Sequence, residues 1–368
     1  MAGGDSGHIG GVERQTSLMA RWFASRGYEV SMLTWDEGQE DGVVIDGVKV
    51  FNICRKDAGI KGLRFFWPKW TSLVAAMRRA DADIYYQNCA ECVTGQVAMW
   101  CRRHSRQFIF SVACDVDCEA RLPRVVSVRS RILYRYGITT ADRVIVQSQK
   151  QQKLLRTNFG RHSIILAMPC PRLSEASRVG CEKAYDGEKH ILWIARITEQ
   201  KRPDRLLDLA EACPDLSFDL VGPAADTEYA RGVCRRATTI ANVTLRGPAS
   251  RDQVCQFYRN ATVLCCTSDW EGFPNTFLEA WSYGVPIVST FDPDGLIAEK
   301  GLGIVAHDIA GLADGIHRLC AYPRQREEMS RRAQQHFLEN YTLDAAMTRF
   351  EGVFLDVYRR SGRNMSDI

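Results

Sequence analysis

Short apolar runs alternate with amphipathic stretches of helical period along almost the whole chain. That is the pattern of an α/β protein whose parallel strands are covered by helices. Gly10-Gly11 opens a helix with Leu18, Met19, Trp22 and Phe23 on one face, and Gly27 stops it. A strand follows at 28–34, then a strand pair at 43–53 that turns at Asp46-Gly47. Residues 83–87, 108–114, 141–148 (ending on Ser148 as an N-cap) and 164–168 read as further strands, and 94–103 as a helix. Two stretches mix base with apolar residues. In 63–80 aromatics alternate with Arg and Lys before a helix that has Pro68 near its start. In 121–136 the spacing predicts one helix, with Leu122, Val125, Val128, Ile132 and Leu133 as its stripe and Arg121, Arg124, Arg129, Arg131 and Arg135 as its cationic face.

Residues 173–188 are polar and unpatterned, which reads as a linker. A second alternating series then begins with an apolar strand at 190–197, a loop at 198–202 and Pro203 at the first position of a helix. Strands are expected at 216–221, 243–245, 261–266, 286–289 and 303–306, with helices near 309–321, 323–339 and 342–359. Ser250 and Gln253 form a capping box for another helix. The expected domains are therefore 1–172 and 189–340, with a last helix at 341–360 crossing back to the first.

Composition changes this picture in three places. The chain has 368 residues, enough for two full cores, and no apolar run of membrane-spanning length. The net charge of +4 hides an asymmetry: residues 1–172 carry 25 Lys and Arg against 16 Asp and Glu, and the remainder carry 23 against 28. A basic front half suits an anionic partner such as a membrane surface, an acidic glycan or a lipid diphosphate, and no nucleic-acid recognition motif accompanies it. Fourteen cysteines without a secretory leader read as reduced cytosolic thiols. Cys89, Cys92, Cys114 and Cys118 have zinc-like spacing but read better as small apolar thiols.

The chemistry centres on Ser268-Asp269-Trp270-Glu271-Gly272-Phe273-Pro274-Asn275-Thr276-Phe277-Leu278-Glu279-Ala280, which follows an apolar strand and opens a helix that Gly284 ends. Glu271 falls in the loop and Glu279 in the helix, beside free N–H groups that suit an anion. A loop carboxylate can accept from sugar hydroxyls, and one on the helix can reach a ribose. These residues, with Gly284-x-Pro286-Ile287-Val288 after them, resemble the E-x7-E motif of the family-4 retaining glycosyltransferases. Arg196 and Lys201 resemble the pair that clamps the donor diphosphate in that family, standing in for a metal at the departing group.

The resemblance implies a GT-B fold: two Rossmann-like domains facing a central cleft. It implies Arg196, Lys201 and Glu271 as catalytic residues, and Gly10, Gly11, Phe273, Pro274, Asn275, Thr276 and Glu279 as donor-binding residues. It also implies a UDP- or GDP-sugar donor, a glycan or lipid-linked acceptor, no cofactor and no metal. The expected station is the cytoplasm, peripheral on the inner face of the plasma membrane. Several positions depart from the family pattern. The first strand, expected before Gly10-Gly11, is missing, and the economical reading is a start placed too late or a truncation. Cys114 stands where a His is common, the strand ending at Gln87 also lacks one, and Pro169-Cys170-Pro171 replaces an Asn-Gly turn. Pro274 offers no N–H. Asp115-x-Asp117 looks like a metal-binding pair of the other large glycosyltransferase fold, but its position in the front domain favours a loop or capping role. The rival classes are a sugar-nucleotide epimerase, which needs acid–base groups not evident here, and a non-catalytic sugar-binding protein, which has no use for a diphosphate clamp.

Overall fold

The computed structural model describes residues 11–122, 127–170 and 189–362, which fall into two units, Met1–Pro169 with Ala346–Ile368, and Cys170–Ala345. The first unit runs α1 (Gly11–Ser25), β1 (Val30–Thr34), β2 (Val43–Ile45), β3 (Val48–Asn52), α2 (Thr71–Ala80), β4 (Ile84–Asn88), α3 (Cys92–Arg103), β5 (Gln107–Ser111), α4 (Val128–Thr140), β6 (Arg143–Val146), α5 (Gln149–Phe159) and β7 (Ile164–Ile165). Its strands form two sheets, β1-β3-β2 and the all-parallel β4-β5-β6-β7. Among the described residues no strand joins β1 to β4, so each is an edge. The β2–β3 hairpin turns where the pattern placed it, with Asp46 and Gly47 at φ 50° and 78°. Phe108, Phe110, Tyr134, Met77 and Leu155 fill the core.

The two basic stretches differ from expectation. The helix predicted over 121–136 begins only at Val128: Leu122 takes a left-handed conformation (φ 49°) and drops into the core. Arg124 and Val125 lie outside the described residues. Helix α4 packs on α3 through Tyr134, Gly137 and Ile138, and leaves Val128 and Ile132 outside. The crossing is close because glycines face it. A β-carbon on Gly95 would lie 2.2 Å from the Leu133 carbonyl oxygen, and one on Gly137 would lie 2.6 Å from the Thr94 carbonyl. In the other stretch, Phe65–Trp70 form one wide turn around Pro68, and regular helix starts at Thr71. The predicted strand at 164–168 shrinks to two residues.

The second unit runs β8 (His190–Ile194), α6 (Pro203–Ala212), β9 (Ser217–Val221), α7 (Glu228–Ala237), β10 (Val243–Gly247), α8 (Arg251–Asn260), β11 (Val263–Cys266), α9 (Asn275–Ser282), β12 (Ile287–Ser289), α10 (Leu296–Lys300), β13 (Gly303–Val305), α11 (Ile309–Ala321) and α12 (Pro323–Asn340). Its six strands make one parallel sheet in the order β10-β9-β8-β11-β12-β13. Strands fully buried on both faces need apolar side chains throughout, and Ile191–Trp193 and Val263–Cys266 supply them. The succession steps outward from β8 in one direction, then jumps back to β11 and continues in the other. The loops after β8 and β11 therefore diverge, leaving a crevice at the carboxyl ends of the strands, where such sheets bind ligands.

The last helix, α13 (Leu343–Arg360), counts with the first unit from Ala346 onward. Its Phe354 ring leans on Phe23 of α1 and Tyr86 of β4, with centroids 5.0 and 5.8 Å apart, so one side chain joins a strand of the second sheet to the helix that packs on the first. Tyr28 donates to Glu351 at 2.9 Å, and Arg143 pairs with Asp356 at 2.8 Å.

Candidate active site

The two diverging loops of the second unit are stitched together. The β8 loop passes Arg196, makes a short turn at Glu199–Lys201, and enters α6 through Arg202, whose φ is 47°. The β11 loop starts at Thr267, whose buried hydroxyl accepts from the Trp193 indole at 2.9 Å and faces the carbonyls of Lys201 and Arg202 at 2.9 and 2.8 Å. The Asp269 N–H donates to the Gln200 carbonyl at 3.0 Å, and the Gln200 amide donates to the Trp270 carbonyl at 2.9 Å. Arg205 pairs with Asp269 at 2.8 Å. Such mutual satisfaction of loop backbone groups fixes the geometry of what hangs from them.

What hangs from them is the ion pair of Lys201 and Glu271. Glu271 is 7% exposed, and the same carboxylate oxygen accepts from the Ser268 hydroxyl at 2.6 Å. A carboxylate so buried is stable as an anion only when paired and hydrogen-bonded, and here it is both. Burial, with the Glu271 charge adding to it, pushes the neighbouring Cys266 thiol up, so that thiol stays protonated and unreactive. Arg196 stands exposed on the loop after β8 and makes no ion pair or hydrogen bond among the described residues.

Glu279 sits in α9, also 7% exposed, and accepts from the Tyr258 hydroxyl of α8 at 3.0 Å. Tyr258 is held flat against Tyr283, ring centroids 5.7 Å apart. Pro274 is buried at the start of α9, and Asn275 and Thr276 form its first turn, half-buried. The Phe273 ring packs against Trp281 and Tyr341 at 6.1 and 5.5 Å, which anchors the loop. Gly11 opens α1 in the other unit, and Gly10 lies outside the described residues.

Ser268, Thr267 and Tyr258 were not singled out by the sequence. Ser268 and Thr267 follow a buried strand directly, a place where hydroxyls serve loops. Tyr258 comes from a separate helix, and nothing local marks it. In the first unit, Asp115 is held by Lys150 at 2.8 Å and Gln151 at 3.1 Å, a structural use of that carboxylate. Among the described residues no group of three or more His, Cys, Asp and Glu is arranged to hold a metal ion, and no helix is long and apolar enough to cross a membrane.

Two α/β units, the second a six-stranded parallel sheet with paired charges at its reversal point, define the class as GT-B. Residues 10–171 match the family described as glycosyl transferase 4-like domain, and residues 181–336 match glycosyl transferases group 1. Both units thus resemble glycosyltransferases, on a GT-B fold.

An uncharacterized glycosyltransferase of Haemophilus influenzae is 25% identical over 234 residues, 61% of this chain and 64% of that protein. A D-inositol 3-phosphate glycosyltransferase of Mycolicibacterium smegmatis is 27% identical over 261 residues, 62% of this chain and 59% of that protein. The matches thus span less than two thirds of either relative. Among solved structures, HepE of Anabaena in complex with UDP and glucose superimposes with a TM-score of 0.74 at 16% identity, over 95% of this chain and 97% of that one. Sucrose-phosphate synthase of Thermosynechococcus elongatus gives 0.77 at 17% identity, over 96% and 94%.

Proposed function

We propose that the protein is a retaining glycosyltransferase that moves a hexose-type sugar from a UDP- or GDP-sugar to a hydroxyl of a glycan or lipid-linked acceptor, without a metal. The observation that carries this reading is the Lys201–Glu271 pair at the reversal point of the sheet, with Arg196 exposed on the same loop. Transfer breaks the bond from the sugar C1 to the diphosphate and forms one from C1 to the acceptor oxygen. Negative charge grows on the departing diphosphate, which takes the acceptor's proton. Arg196 and Lys201 stabilise that charge, and attack from the side the diphosphate leaves retains the configuration. Glu271 accepts from the sugar hydroxyls, Glu279 from the ribose, and the first turn of α9 faces the donor. That HepE was solved with UDP and UDP-glucose supports UDP-sugars as the first donors to try.

The test is a donor-hydrolysis and transfer screen over UDP- and GDP-sugars, repeated in excess chelator. Lys201→Met should lower kcat about 10²–10³-fold, the usual cost of one charge-stabilising group. Unchanged turnover in that variant rules Lys201 out of the chemistry. Activity abolished by chelator and restored by manganese overturns the metal-free mechanism, and donor binding without turnover favours a sugar-binding protein.

A further inference from the structure

Of the large apolar side chains that are more than half exposed among the described residues, all but Val44 and Tyr322 lie in two segments of the first unit. Ile60, Leu63, Phe66 and Trp67 belong to the segment leading into α2, at 70, 64, 54 and 65% exposure, and Val128 and Ile132 belong to α4, at 71 and 63%. The segments touch. The Arg129 guanidinium of α4 lies 3.6 Å from the centre of the Phe65 ring and 5.9 Å from that of Phe66. Phe66 in turn stacks on Trp70 with centroids 6.1 Å apart. Single exposed apolar residues need no explanation, but a contiguous aromatic and aliphatic patch does.

Within the two segments the charge has one sign. Residues 58–72 carry Lys61, Arg64 and Lys69, residues 127–141 carry Arg129, Arg131 and Arg135, and neither stretch contains an Asp or Glu. Lys61 and Arg64 have no ion pair among the described residues. Aromatic tips flanked by Lys61 and Arg64 fit one kind of surface: an apolar interior beneath a layer of negative charge. We propose that this face of the first unit docks on an anionic lipid bilayer, with Leu63, Phe66, Trp67, Val128 and Ile132 entering the headgroup boundary and Lys61 and Arg64 meeting the lipid phosphates. The occupant is the bilayer rather than a protein groove, because the apolar groups project from two neighbouring segments that carry base and no acid of their own. The inference is independent of the donor chemistry, since it needs no residue of the second unit.

The full chain is sedimented with vesicles of neutral phosphatidylcholine, with and without about 30% phosphatidylglycerol, at low and high salt. Binding should require the anionic lipid and weaken with salt. Leu63→Ser with Trp67→Ser, and separately Ile132→Ser, should each lower partitioning at least about tenfold, as should Lys61→Glu with Arg64→Glu. Donor turnover of these variants should stay within about twofold of wild type, which shows that they fold. A blue-shifted fluorescence component on vesicle binding, absent in Trp67→Phe, should place that ring in lipid. Wild-type protein left in the supernatant with anionic vesicles overturns the proposal. If it also elutes as a dimer that Leu63→Ser with Trp67→Ser converts to monomer, the patch belongs to a second copy of the chain instead.

Discussion

The two units solve the same architectural problem differently. In the second, one six-stranded sheet runs without interruption, and side chains crossing between its loops, notably Thr267 and Gln200, hold the site in place. In the first, the strands fall into two small sheets, and cohesion comes from helices: α4 set against α3 by paired glycines, and Phe354 reaching both α1 and β4. A continuous sheet distributes its strength over many ladder hydrogen bonds, whereas a helix crossing concentrates it at a few contacts. The first unit should therefore be the more vulnerable to single substitutions in its helices, and the second to substitutions in its loops.

The largest effect that would sharpen this contrast is on Gly95. A methyl there meets the Leu133 carbonyl oxygen at 2.2 Å, so Gly95→Ala forces α3 and α4 apart. Overpacking of this kind costs about 1–3 kcal/mol, more than the ~0.5–1 kcal/mol that alanine returns in helix propensity. Calorimetry should show the first unit's transition falling by roughly 3–10 °C while the second unit's holds. Equal shifts in both would break the comparison.

Smaller, and in the second unit, is Tyr258→Phe. It removes one hydrogen bond to the buried Glu279 carboxylate. Bonds to charged groups are worth about 1.5–3 kcal/mol at most, and part is recovered by water. We expect KM for the donor to rise about 5–10-fold with kcat little changed. A KM equal to wild type would remove Glu279 from the donor site.

The smallest effect is a pH dependence at His336, packed between the rings of Trp281 and Tyr341. Burial holds its pKa below the ordinary 6.5, with Lys300 acting in the same direction and Glu339 opposing. The unfolded chain therefore takes up a proton that the fold resists. The contribution is intact above the unfolded value and is lost as pH falls from there through the folded value. The second unit's urea midpoint should drop between about pH 7.5 and about pH 5.5, and His336→Gln should flatten that slope. A slope unchanged in the variant would assign the effect elsewhere.

Much of this was legible in the chain. Parallel strands buried on both faces are apolar throughout, so β8, β11 and β12 stand out, and Asp46-Gly47 names its own turn. Glu271 and Lys201 were singled out by their resemblance to a family motif, and the structure pairs them across the two loops. The failures have a common cause. The 121–136 stretch has helical spacing all along, yet whether Val128 and Ile132 are covered depends on which face α3 touches, and Gly95 and Gly137 decide that from a distance in sequence. Helix α7 escaped because its buried positions include Ala230 and Ala237, too small to register as a stripe. Tyr258 escaped because its partner, Glu279, lies on another helix.

The clasp formed by α13 has a consequence for synthesis. Glu351, Phe354 and Asp356 complete contacts with Tyr28, Phe23, Tyr86 and Arg143, residues that leave the ribosome far earlier. Chains emerge at about 5–20 residues per second, so those partners wait roughly ten seconds to a minute for their cover. The second unit, contiguous from Cys170 to Ala345, is exported whole in that interval. The half translated first is therefore the half finished last.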